Sequence, residues 1–132
     1  MIFVDASAIV AMLAPETDGP DIAAKLEGAE SVAVSPIVIW EAVVALARIR
    51  RSPIEVAERS VHGFLDDIAA ETIPIDDEIG RGAIDAFARY GKGRHPAALN
   101  MGDCFAYACA RRRNVPLLAK GDDFAHTDIS CA

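Results

Sequence analysis

The sequence predicts an α/β fold, a three-layer α/β/α sandwich with a small parallel sheet. Three observations carry this expectation. Short apolar runs of strand character alternate with longer stretches whose apolar residues recur at helical spacing. The strand runs are continuously apolar, as strands covered on both faces are. The chain has 132 residues, 52% of them hydrophobic, which suffices for one core and leaves little room for a second. A single domain spanning residues 1–132 is therefore expected.

Taken in order, Ile2-Phe3-Val4 reads as the first strand and Ala6–Leu13 as the first helix. Residues 21–27 offer a short second helix, and Val32-Ala33-Val34 a second strand. Ser35 followed by Pro36 is a helix opening: a hydroxyl cap, then proline at the first helical position, where its missing N–H is no loss. That helix runs to about Arg51. Ser52-Pro53 starts another, in which Ala57, Val61, Phe64, Leu65 and Ile68 recur at helical spacing. Thr72-Ile73-Pro74-Ile75 reads as a short third strand. Ile79, Ala83, Ala86, Phe87 and Tyr90 mark the next helix. Residues 91–100, with two glycines and a proline, form a loop. Residues 102–113 are helical, 115–119 make the fourth strand, and 122–130 are a loop or a short terminal element.

Charge and composition narrow the function classes. The net charge is −7, the pI about 4.8 and the mean hydropathy +0.23. A bulk-acidic protein repels phosphates at a distance, so any nucleic-acid role needs a local basic patch, a bound cation or a basic partner. Cys104, Cys109 and Cys131 are odd in number and form no C-x-x-C pair, which indicates neither a disulfide framework nor a zinc site. The first fourteen residues are apolar, but they lack a basic start and contain Asp5. Residues 32–47 are too few to span a bilayer and hold Pro36 and Glu41. No membrane segment and no export are expected, and the cytoplasm is the expected compartment.

In a parallel sheet, ligands bind at the carboxyl ends of the strands, and acids gather there. Asp5 directly follows the first strand, and Asp122 and Asp123 stand just beyond the fourth. Asp103 lies in the first turn of the helix opened near Asn100. Glu41 lies about one and a half turns into its helix, among Val38, Ile39, Trp40, Ala42 and Val43. Four such carboxylates on one rim repel each other, and a hard divalent cation relieves the repulsion. Oxygen ligation without histidine or cysteine favours Mg²⁺ or Mn²⁺ over zinc. Two such ions about 4 Å apart would suit phosphodiester hydrolysis. Each acid also has a plainer explanation. Asp103 would complement the helix dipole, Asp122 or Asp123 would serve a turn, and Glu41 would pair with Arg48. Ser7 would cap the first helix or orient Asp5.

The motifs around these acids resemble those of the PIN domain, specifically the VapC ribonuclease toxins. Met1-Ile2-Phe3-Val4-Asp5-Ala6-Ser7-Ala8 is similar to that family's first motif, and Trp40-Glu41 to its second acidic site. The most specific match runs Gly91-Lys92-Gly93-Arg94-His95-Pro96-Ala97-Ala98-Leu99-Asn100-Met101-Gly102-Asp103-Cys104-Phe105-Ala106-Tyr107-Ala108. Pro116-Leu117-Leu118-Ala119-Lys120-Gly121-Asp122-Asp123-Phe124 and Thr127-Asp128-Ile129 follow it. The resemblance implies that Asp5, Glu41 and Asp103 are catalytic metal-site carboxylates, with Asp122, placed ahead of Asp123, as the fourth. Asp5 and Asp103 would ligate Mg²⁺ (or Mn²⁺) directly, and Glu41 and Asp122 through water or at a second ion. It further implies an RNA substrate, a homodimer, and silencing by a VapB-type antitoxin that fills the groove near the acids.

Other residues are read more modestly. Lys92, Arg94 and His95 would contact phosphates or serve the loop's own structure. Arg111, Arg112 and Arg113 complement the helix C-terminus. Trp40, Phe64, Phe87 and Tyr107 suit core or dimer contacts, and Cys104 and Cys109 suit packing. Two alternatives to the nuclease stand: an aspartate-nucleophile phosphatase built on Asp5, which would want a second Asp where Ser7 stands, and a non-catalytic partner-binding domain.

Overall fold

The computed structural model describes residues 1–132. Its four strands are β1 (Ile2–Val4), β2 (Val32–Val34), β3 (Glu71–Thr72) and β4 (Leu117–Leu118). Its six α-helices are α1 (Ala6–Leu13), α2 (Gly19–Glu27), α3 (Pro36–Arg50), α4 (Ile54–Asp67), α5 (Asp77–Tyr90) and α6 (Met101–Arg113). The sheet is wholly parallel, in the order β3-β2-β1-β4. The chain steps outward from β1 to β3 and then returns to the other side of β1. Right-handed crossovers place helices of the two directions on opposite faces. Accordingly α1 to α4 pack together and α5 packs with α6, giving the α/β/α sandwich. The return creates a switch point between β1 and β4.

Local chemistry sets the element ends. The Ser35 hydroxyl is fully buried and accepts the Val38 N–H at 3.2 Å, with Pro36 at the first helical position. Asp76 caps α5 by accepting the Ile79 N–H at 3.0 Å. Helix α3 stops where Arg51 turns left-handed, with φ 52°. Helix α2 begins at Gly19, two residues before the expected start, because Pro20 fits its first turn as well as Asp21 does.

The third strand departs from expectation. It covers Glu71–Thr72 rather than residues 72–75, and both residues are exposed. Ile73 still donates its N–H to the Val34 carbonyl at 2.8 Å, but Pro74 has no N–H to continue the ladder. The final loop holds a 3-10 turn at Asp123–His126. Beyond it the chain end runs along β4. Leu117 donates to the Ser130 carbonyl, and Ala132 donates back to that of Leu117, each at 2.9 Å. The open edge of the sheet is thereby covered.

One apolar core joins both faces. Phe3, Val4 and Ala33 of the sheet meet Ile9, Leu46, Val61, Leu99 and Cys109. Tyr107, Cys104 and Cys109 pack inside it, as expected. Phe64 is half-buried, whereas Trp40 (62% exposed) and Phe87 lie at the surface, outside the core. No helix is long and apolar enough to cross a membrane.

Candidate active site

Asp5 leaves β1 and caps α1. Its own N–H donates to the Leu118 carbonyl of β4 at 2.9 Å, which ties it to the switch point. Its carboxylate oxygen Oδ2 accepts the Ser7 N–H at 3.1 Å and the Ser7 hydroxyl at 2.7 Å. The Ser7 hydroxyl oxygen in turn accepts the Lys120 N–H at 3.0 Å. Ser7 therefore orients Asp5, but it is not the helix cap: that role falls to Asp5 itself. Asp5 and Ser35 are the two polar residues buried in this fold. Burial pushes the Asp5 carboxyl above its usual range. The Ser7 hydrogen bonds oppose the shift, and the charge of Asp123 adds to it.

Asp103 stands at the third position of α6, in a reciprocal cap with Asn100. The Asp103 N–H donates to Asn100 Oδ1 at 2.9 Å, and the Asn100 N–H donates to Asp103 Oδ2 at 3.1 Å. The helix-end explanation of Asp103 is thus correct. It does not exhaust the residue, whose pKa is pushed up to about 6 by burial and by the charges of Asp5 and Asp123, against the Asn100 bond.

Glu41 has no hydrogen bond or ion pair in the structure, and the alternative bridge to Arg48 does not form. Its carboxylate instead lies against the first turn of α6: a Cβ placed on Gly102 would collide with both of its oxygens. Burial, then the charges of Asp5 and Asp103, push its pKa up to about 7.

These three acids line one recess of about 370 Å³ at the carboxyl ends of β1 and β4, with Ser7, Asn100 and Lys120. Glu16 and Arg48 also stand in its wall. No three His, Cys, Asp or Glu side chains are gathered tightly enough to cage an ion unaided. The donor set nevertheless fits a hard divalent cation that keeps part of its water shell. It is all oxygen, comes from three separate elements, and is charge-coupled enough to hold protons near neutrality.

Asp122 and Asp123 are both exposed and neither lines the recess. Of the two, Asp123 is the one whose charge bears on Asp5 and Asp103. The basic loop also stays away. His95 accepts the Ala97 N–H at its Nδ1 (3.0 Å) and packs edge-on against Tyr90, while Arg94 lies over the Phe87 ring. Arg111, Arg112 and Arg113 pair with Asp128, Glu78 and Glu71, in keeping with a helix-end role. Sequence reasoning passed over Gly102 and the Glu16–Lys120 ion pair. A glycine inside a helix was the available signal for the first; nothing in the sequence signals the second.

The PIN-domain family model matches residues 2–130. A VapC ribonuclease of Rhizobium meliloti (strain 1021) is 44% identical over 141 residues, covering 98% of this chain and 99% of that protein. Among solved structures, Mycobacterium tuberculosis VapC20, described as a sarcin-ricin loop cleaving toxin, superposes with a TM-score of 0.81 at 18% identity. It covers 100% of this chain and 98% of its own. VapBC2 of Rickettsia felis, bound to a DNA fragment from its promoter, superposes with a TM-score of 0.71 at 13% identity, covering 100% and 98%. With the family model matched nearly end to end and a relative at that identity, the chain belongs to the PIN-domain family, among its VapC proteins.

Proposed function

We propose that this protein is a Mg²⁺- or Mn²⁺-dependent endoribonuclease that acts in the cytoplasm as the toxin of a toxin–antitoxin pair. One observation carries the reading: carboxylates from the end of β1, from α3 and from α6 line a single recess, where burial and the charge of Asp5 raise the pKa values of Glu41 and Asp103. The relatives' names, VapC ribonuclease and VapBC, supply the substrate class and a VapB-type partner.

A bound divalent cation would neutralise the recess, polarise the phosphate and make water a better nucleophile. Asp5 and Asp103 are the proposed direct ligands, with Glu41 acting directly or through water. Asp123 replaces Asp122 as the proposed fourth acid, because its charge is the one that acts on the other two. Ser7 fixes Asp5 by holding Oδ2, and the Asn100 cap fixes Asp103 in the same way. The homodimer implied by the resemblance would need an apolar face. Ile84, Phe87 and Met101, exposed around one apolar groove between α5 and α6, offer one.

The test is digestion of total RNA by wild type with Mg²⁺, with EDTA, and by Asp5→Ala. Cleavage in the first arm alone supports the reading. Equal cleavage by wild type and Asp5→Ala rejects the site. Co-purification with the product of a neighbouring short reading frame tests the antitoxin.

A further inference from the structure

Two cations stand in the wall of the acidic recess, and neither can ligate a metal ion. Lys120 follows β4. Its N–H is held by Ser7, so its backbone lies one side chain away from Asp5. Its ammonium is ion-paired with Glu16, a residue between α1 and α2 that lines the same recess. The pair is half-exposed, at 39% and 27%. Such solvent-facing pairs are weak and readily exchange partners. Arg48 lies on α3 seven residues after Glu41, two turns along the same helix and about 10 Å from it along the axis. It lines the recess and has no carboxylate partner.

A strand entering this recess brings phosphates past three carboxylates. A divalent cation offsets the charge at the reacting phosphate, and its neighbours need donors of their own. Lys120 comes from the β4 side and Arg48 from the far end of the α3 side, so a strand touching both passes Asp5 and Glu41 on the way. We propose that Lys120 and Arg48 bind the phosphates flanking the cleaved bond, and that Glu16 holds Lys120 in place until a phosphate displaces it. The inference rests on the ribonuclease reading and deepens it: the two cations give the recess affinity for the backbone and carry no sequence preference.

The test measures binding of a labelled single-stranded oligoribonucleotide of mixed sequence, in Mg²⁺, across a salt series. Asp5→Asn is the non-cleaving background, and the carboxylate charge it removes stands in for the neutralisation that the cation would supply at this acid. Lys120→Ala and Arg48→Ala should each weaken binding several-fold and lower the slope of log K against log salt by about 0.7. Lys120→Arg should restore it. Glu16→Gln frees the lysine and should tighten binding. A merely structural pair would make Glu16→Gln and Lys120→Ala shift binding in the same direction, and that result overturns the proposal. So do unchanged slopes in both alanine variants, or a background protein that binds no oligonucleotide at low salt. Digestion by wild type but not by Asp5→Ala would still support the ribonuclease reading in each of those cases, so the two fail separately.

Discussion

At Gly102 the missing side chain is itself part of the site. A methyl group there would strike both carboxylate oxygens of Glu41, the acid with no other polar contact to hold it. By helix propensity alone, Gly102→Ala should stabilise α6 by up to about 1 kcal/mol. The collision acts against this and pushes Glu41 out of the recess. We expect Gly102→Ala to keep a near-normal melting temperature and to lose about tenfold or more in Mg²⁺ affinity and RNA cleavage, the range seen when supporting residues of metal sites are altered. Calorimetric titration with Mg²⁺ and an RNA digestion at matched protein concentration check it. Wild-type values for both would mean that Glu41 has no part in the site. The same residue shows a limit of reading acids one at a time. An unpaired carboxylate on an apolar helix predicts a partner, and Arg48 was the natural choice by sequence spacing. The carboxylate found a helix N-terminus and two other acids instead.

Helix ends position this site more than helix interiors do. Asp5 caps α1, Ser35 caps α3, and Asn100 with Asp103 caps α6. Caps are legible because they are local: Ser35-Pro36 was read correctly from neighbouring residues, although at α1 the cap offered to Ser7 belongs to Asp5. What lies across the fold was not legible. Glu16 and Lys120 are 104 positions apart, and the bearing of Asp123, rather than Asp122, on Asp5 and Asp103 arises beyond a turn in which Gly121 takes φ +87°. Strand β3 was misplaced because Ile73 and Ile75 look like strand residues, while Pro74 ends the ladder between them. The double use of Asp103 gives a prediction at this scale. Asn100→Ala removes the acceptor of the Asp103 N–H. It should cost about 1 kcal/mol, in line with other caps, and should lower cleavage beyond that loss by loosening Asp103. Ser35→Ala should cost at least as much, since its hydroxyl is fully buried, yet leave the activity of the folded fraction unchanged. Urea melts paired with rates per folded molecule separate the two, and equal rates in both variants would remove Asn100 from the site.

Across the whole molecule the acids set a cost that protons relieve at low pH and that a cation would relieve near neutrality. Asp5, Glu41 and Asp103 all have carboxyl pKa values raised on folding, Glu41 to about 7 and Asp103 to about 6. The native state therefore holds more protons than the unfolded chain between about pH 4 and 7, where unfolded carboxyls have already ionised. Under that condition stability falls as pH rises. In EDTA, then, the contribution of these groups to stability should be greatest at and below about pH 4. The protein should lose stability up to pH 7 by on the order of 2 kcal/mol, after allowing for water in the open recess. Mg²⁺ binds the ionised carboxylates and competes with the protons, so it should flatten the slope and stabilise most near pH 7. Asp5→Asn removes one buried ionisable group and relieves the others, so it should raise the metal-free melting temperature at pH 7 while abolishing the response to Mg²⁺. Thermal melts across this pH range, with and without Mg²⁺, decide the matter. A metal-free melting temperature that climbs steadily from pH 4 to 7 in wild type, and falls in Asp5→Asn, would show that these carboxylates do not oppose one another in the folded protein and would leave the recess no electrostatic reason to take up a cation.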